Sequence, residues 1–160
     1  MKLFIKRDVS ASDNEFTIYD ELGNPKYFAR FVKTKTKSKV NIILTDTEQN
    51  VKAKIRQLPL VGTNTYVFKV GKSHITFVVV LTAKVIYSYF YGNNWHIHGD
   101  IVTKNFSIIN VDNSVISSQQ NCGDSVELDI TDESNELYCI STSVCTSLIN
   151  TVDKFAVQTV

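Results

Sequence analysis

From Lys2 to Ile130 apolar and polar residues alternate in short runs, and each run ends in a cluster of turn-forming residues. Alternation of period two puts successive side chains on opposite faces of a strand, so each run reads as a strand with one buried face. Lys2 to Lys6 is the first. Glu15 to Val32 reads as strand, turn and strand, with Phe16 and Ile18 on one face, a turn over Asp20 to Asn24, and a return from Tyr27 to Val32. Lys39 to Gln57 repeats the pattern: Val40, Ile42 and Leu44 precede the polar TDTEQN turn, and Val51, Ala53 and Ile55 resume the inward face. Tyr66, Phe68 and Val70 lead through Gly71-Lys72 into Ser73 to Leu81. Lys84 to Tyr91, Trp95 to Asp100, Phe106 with Ile108, Val115 to Ser118 and Ser125 to Ile130 follow, with a further turn at Val111 to Asn113. These runs predict about twelve antiparallel strands joined as irregular hairpins, enough for a barrel wide enough to hold something inside.

What it holds is written after Ile130. The period changes from two to that of a helix, with Asp132 or Ser134 as cap and Glu133 and Glu136 in the first turn, where the helix dipole favours acids. Leu137 to Val152, LYCISTSVCTSLINTV, contains no charge, glycine or proline. Leu137, Ile140, Val144, Leu148 and Val152 line one side, and Tyr138, Cys145 and Ile149 another. A helix without a wet face is buried all round. At roughly 24 Å it is too short for a bilayer span of about 20 apolar residues, and its hydroxyl residues suit protein better than lipid. The expected fold is therefore mainly β: a closed antiparallel barrel of about twelve strands around a buried C-terminal α-helix, in one domain over residues 1–160. The tail FAVQTV reads equally as a closing strand or as more helix.

Composition changes this picture little. With 43% hydrophobic and 21% charged residues and only two prolines, the chain resembles ordinary globular proteins. MKLFIKRDVS has too short an apolar core for a signal peptide, and Cys122, Cys139 and Cys145 are an odd number suited to reduced thiols, so a cytoplasmic location is expected. Charge is more telling. Residues 1–84 carry 15 Lys and Arg against 7 acids, a balance of +8, whereas residues 85–160 carry 2 against 9, a balance of −7. Such a split can present a basic face.

The segments MKLFIKRDV, FTIYDELGNPKYFARF, WHIHGD and GDSVELDITDESNEL, followed by the apolar helix, occur in an order that resembles the LURP-one-related family, specifically small bacterial-type members with a tubby C-terminal-like fold. The resemblance covers nearly the whole chain. It implies a barrel of about twelve strands around a central helix, and kinship with phosphoinositide-binding tubby domains and scramblase-like proteins. The helix departs from the family, whose residues there are mostly Ala, Leu, Ile and Val; here Ser141, Thr142, Ser143, Thr146, Ser147 and Thr151 must bond back to carbonyls one turn earlier or to the barrel wall. A tubby-type phosphoinositide site has no aligned motif in this chain and is not carried over.

Candidate chemistry concentrates in lysines. Lys33, Lys35, Lys37 and Lys39 recur at a spacing of two, as do Lys52, Lys54 and Arg56 on the next hairpin, so in extended chain each set shares one face. Because the intervening apolar residues claim the interior, these seven bases form an expected outward stripe that binds lipid or anions. The competing reading is an edge kept soluble by lysine. His96 and His98 share a face with Asp100 but lack a full ligand set, and no metal or cofactor is expected. No nucleophile stands at a recognisable spacing from a base, no phosphate-binding glycine loop occurs, and a filled barrel lacks an interior pocket. The expectation is a non-enzymatic binding module for anionic phospholipid or phosphoinositide surfaces, cytoplasmic and peripheral to the membrane, without nucleic acid as partner or a transmembrane segment. The alternatives are a protein-interaction or scaffold domain and an enzyme with a surface site.

Overall fold

The structure, a computed structural model, describes residues 1–8, 15–32, 41–58, 62–81 and 86–149. Alternation becomes twelve strands: β1 Lys2–Asp8, β2 Glu15–Tyr19, β3 Pro25–Phe31, β4 Asn41–Asp46, β5 Val51–Leu58, β6 Thr63–Val70, β7 Ser73–Leu81, β8 Ile86–Tyr91, β9 His96–Asp100, β10 Asn105–Ile109, β11 Val115–Asn121 and β12 Ser125–Ile130. A single 3-10 turn, Glu133–Asn135, leads into helix α1, Glu136–Ile149.

Three hairpin turns share one chemistry. In each, a left-handed residue stands three positions after an Asp or Asn: Gly23 after Asp20, Gln49 after Asp46, and Asn113 after Asn110. The left-handed residue donates its N–H back to that residue's carbonyl, at 3.1, 3.1 and 2.9 Å respectively. The Asp20 carboxylate accepts from the N–H groups of Leu22 and Asn24, and Asp46 from those of Glu48 and Asn50, all at 2.9 Å. This is the type I turn with a left-handed residue that closes a three-residue hairpin and leaves a bulge behind it. Bulges do follow, at Ile18/Tyr19, Leu44/Thr45 and Ile108/Ile109. Hydrogen bonds, above all from the Asn50 N–H, hold the Asp46 carboxyl below the usual carboxylate range.

The twelve strands form one antiparallel sheet in the order β8-β7-β6-β5-β4-β3-β2-β1-β12-β11-β10-β9. Consecutive strands are neighbours, and β1 joins β12 through pairs such as Leu3 with Leu128. The Met1 amine strengthens that junction by donating to the Ile130 carbonyl at 3.0 Å. The result is a nearly closed barrel, and its seam lies between β8 and β9, which form no ladder with each other. Trp95 packs at this seam, edge-on to Phe90 at 6.0 Å and to Tyr138 of α1 at 6.2 Å. The helix itself therefore lines the gap.

Inward residues of the strands share one core with α1. Leu3, Ile18, Leu44, Ile55, Phe68 and Phe77 are among the side chains removed from solvent, as are Ile140, Val144 and Cys145 of the helix. The expected hydroxyl bonding is present at four positions and fails at Ser143: Ser141, Thr142 and Ser147 donate to the carbonyls of Leu137, Tyr138 and Ser143 four residues back, and Thr146 donates to that of Ser143. These four hydroxyls thereby enter the core already bonded, whereas the Ser143 Oγ is buried without a partner among the described residues. Asp132 caps the approach, accepting from the Ser134 N–H at 3.0 Å. Lys26 of β3 reaches the helix start, its Nζ 2.6 Å from Glu136 Oε1. Burial and the nearby Glu136 charge push the Tyr27 phenol up to about 12. Thr151 and the tail beyond lie outside the described residues.

Candidate functional site

With a helix in the lumen, the outer wall is where charge collects. The ladders place outward side chains side by side across strands. One row runs Arg30 on β3, Ile43 on β4, Lys54 on β5, Lys69 on β6 and His74 on β7. The next runs Asn41, Arg56, Val67, Thr76 and, on β8, Tyr91. Arg30, Lys54, Arg56, Lys69 and His74 are all exposed. At about 4.8 Å between strands, the first row is roughly 19 Å long, and Arg56 lies roughly 7 Å along β5 from Lys54.

Of the seven bases expected from sequence, Lys52, Lys54 and Arg56 stand on β5 with exposed side chains. Lys52 is 3.6 Å from Asp46 Oδ2 and is partly neutralised. Lys33, Lys35, Lys37 and Lys39 lie outside the described residues. The structure adds Arg30, Lys69 and His74, which no linear spacing links to β5. Their signal is register, because Lys54 and Lys69 occupy directly opposed positions on paired strands.

The electrostatics of this face differ from those of the wall behind it. On the β1 and β12 side, Lys2 pairs with Glu127 at 3.1 Å, Lys6 with Asp124 at 3.4 Å, and the Met1 amine with Asp129 at 3.7 Å. Among the described residues, Arg30, Lys54, Arg56 and Lys69 form no such pair. Residues 25–81 contain eleven Lys and Arg against two acids, Asp46 and Glu48. Like charges directly opposed across strands are destabilising, so the Lys54–Lys69 pair carries a cost that a bound anion would relieve.

The other sites offer less. A groove of about 330 Å³ on the outer wall is lined by Phe4, Lys6, Tyr19, Asp20, Glu21, Gly23 and Ser125. Its charged groups are already engaged: Asp20 holds its turn, Lys6 meets Asp124, and Glu21 accepts from the Lys2 N–H at 3.1 Å. His96 and His98 project outward from β9, and no three His, Cys, Asp or Glu converge to hold a metal ion among the described residues. Burial pushes the Cys139 thiol up to about 12 and the Cys145 thiol well above its ordinary value, so both stay protonated as small core residues. Cys122 is exposed in the turn before β12. No helix among the described residues is long and apolar enough to cross a membrane.

Comparison with known proteins supplies a family and a fold. The model of the family described as LURP-one-related matches residues 1–146. A crystal structure of a protein from Arabidopsis thaliana superposes with a TM-score of 0.65 at 12% identity, covering 92% of this chain and 90% of that one. At that identity the likeness speaks for the fold alone. No curated protein matches the chain.

Proposed function

The chain belongs to the LURP-one-related family, and from that premise we propose that it is a non-enzymatic binding module whose basic outer face takes anionic phospholipid surfaces. We read it also as a small bacterial-type member with a tubby C-terminal-like fold, acting in the cytoplasm at the membrane periphery. The observation that carries the reading is the contrast between the two walls. Lys2 and Lys6 on β1 are neutralised by Glu127 of β12 and by Asp124 in the turn before it, whereas Arg30, Lys54, Arg56 and Lys69 stand together without a carboxylate partner among the described residues. A solubility device needs neither such a row nor a like-charged pair in direct opposition. The wall is convex and the lumen is filled, so a broad anionic surface fits it better than a small molecule that needs a cleft.

Each base near an anionic leaflet contributes about 1 kcal/mol. Changing Lys54, Arg56 and Lys69 together to Gln should therefore weaken binding to phosphatidylserine-containing vesicles by about 3 kcal/mol, roughly a hundredfold at low salt. Because the three side chains are exposed, the fold should survive. Removing the opposed charges should even raise stability, by about 0.2–1 kcal/mol. Vesicle sedimentation and thermal denaturation of the same variant check both outcomes. Binding unchanged in the triple variant would leave these bases as solvated surface. Equal binding to neutral vesicles would remove the electrostatic basis.

A further inference from the structure

We propose that Tyr87, Tyr89 and Tyr91 on the outer face of β8 form an aromatic anchor that seats among the headgroups of the same lipid surface. This rests on the reading of the basic face given above. The three side chains alternate along β8 and share its outer phase, opposite Val80, Val78 and Thr76 of β7. Their rings make one ridge, with centroids 6.5 Å apart for Tyr87 and Tyr89 and 5.2 Å for Tyr89 and Tyr91. Tyr87 is 51% exposed and Tyr91 62%. Three adjacent tyrosines on a strand next to the seam are not required by the core, which β8 reaches through Phe90.

Two observations select lipid as the occupant. The first is continuity with the charge. Tyr91 ends the row that contains Arg56, and the neighbouring row holds Lys54, Lys69 and His74, so ridge and bases lie on adjoining parts of one wall. The second is the chemistry along β6 to β8. Moving along these strands away from the bases, the outward phase passes Thr65 and Val78, both buried, to the half-buried Thr63, Val80 and Tyr89 and the exposed Tyr87, with no charge among them. A basic patch that grades into an uncharged, aromatic-rimmed one suits an anionic leaflet. Tyrosine presents an apolar ring and a polar tip, the combination that favours the membrane–water interface. A few bases alone give weak recruitment that salt abolishes, and stable peripheral attachment takes a second, unscreened contribution.

The experiment uses the full chain and vesicles of equal parts phosphatidylcholine and phosphatidylserine, sedimented at low and at physiological salt. The variant carries Tyr87→Ser and Tyr91→Ser; a companion carries Tyr87→Phe and Tyr91→Phe. At low salt the Ser variant should still bind measurably, because the bases act, but about tenfold more weakly than wild type, since an unscreened contribution is lost at every salt. At physiological salt, where charge is screened, it should again lose about tenfold, while the Phe variant keeps wild-type binding. Wild-type binding that the Ser variant reproduces at both salts would overturn the anchor and leave the basic-face reading intact. Wild type that fails to bind at low salt would overturn both. Should the Ser variant not fold, N-acetylimidazole modification of wild type decides: vesicles should protect Tyr87 and Tyr91, and unchanged modification of both in vesicle-bound protein would overturn the anchor.

Discussion

Val144→Asp should strongly destabilise the cooperatively folded barrel at neutral pH. Val144 is fully buried at the centre of α1, among the strand residues that close on the helix. An unpaired carboxylate there costs several kcal/mol, a large part of the roughly 5–15 kcal/mol that holds a domain folded. For a chain of this size that is a fall in Tm of at least about 10 °C. The introduced carboxyl would have a folded-state pKa raised by burial, so its neutral form is favoured in the native state. The cost should then be smaller at pH 5 than at neutral pH, because it grows as pH rises from the unfolded-state carboxyl pKa of about 4 toward the raised folded-state value. Thermal melts followed by near-ultraviolet dichroism at both pH values measure this. Native-like dichroism and an unchanged Tm at neutral pH would mean that position 144 does not face a packed wall.

Gly99→Ala should cost about 3 kcal/mol or more, through backbone rather than core volume. Gly99 has φ +122°, a region that side chains avoid, and a Cβ there would lie 2.7 Å from the Asn105 carbonyl oxygen and 2.7 Å from Phe106 Cα. Both obstacles are main chain of β10, which pairs with β9 through Gly99 and Phe106, so neither can swing aside. Gly23→Ala supplies the control. Gly23 also has positive φ, +81°, but nothing lies within 4 Å of its Cβ position. It should cost only about 1 kcal/mol. Denaturant midpoints for the two variants separate conformational strain from collision, and similar losses would mean that β9 and β10 sit less closely than this.

Most of the barrel was legible in the sequence because its governing pattern is local. Period-two alternation marks each strand, and a shared Asp or Asn turn joins Tyr19 to Pro25, Asp46 to Val51 and Ile109 to Val115. Leu137 to Ile149, lacking a wet face, announced its own burial, and a reach for carbonyls one turn back follows from Ser and Thr inside a helix. The seam was not legible. Lys84 to Tyr91 and Trp95 to Asp100 alternate as well as any hairpin, and only the three-dimensional arrangement shows that β8 and β9 form no ladder and that Trp95 packs there on Tyr138.

The same division holds for the site. Lys52, Lys54 and Arg56 were visible as a spacing of two on one strand. Lys69 and His74 were not, because their place beside Lys54 depends on cross-strand register, to which a spacing along one strand is blind. The tyrosine ridge was overlooked for another reason. Alternate aromatics in a strand ordinarily mark the inward face, yet on β8 that face belongs to Phe90 and Ser88.

The central claim is that the wall formed by β3 to β7 meets anionic lipid while the wall of β1 and β12 does not. Acetylation of lysines in the native protein, read by mass spectrometry with and without phosphatidylserine-containing vesicles, tests it residue by residue. Lys54 and Lys69 should be protected severalfold by anionic vesicles and not by neutral ones, while Lys2 and Lys6, comparably exposed but paired with Glu127 and Asp124, keep their labelling. Equal labelling of Lys54 and Lys69 in bound and free protein, or protection confined to Lys2 and Lys6, would contradict it.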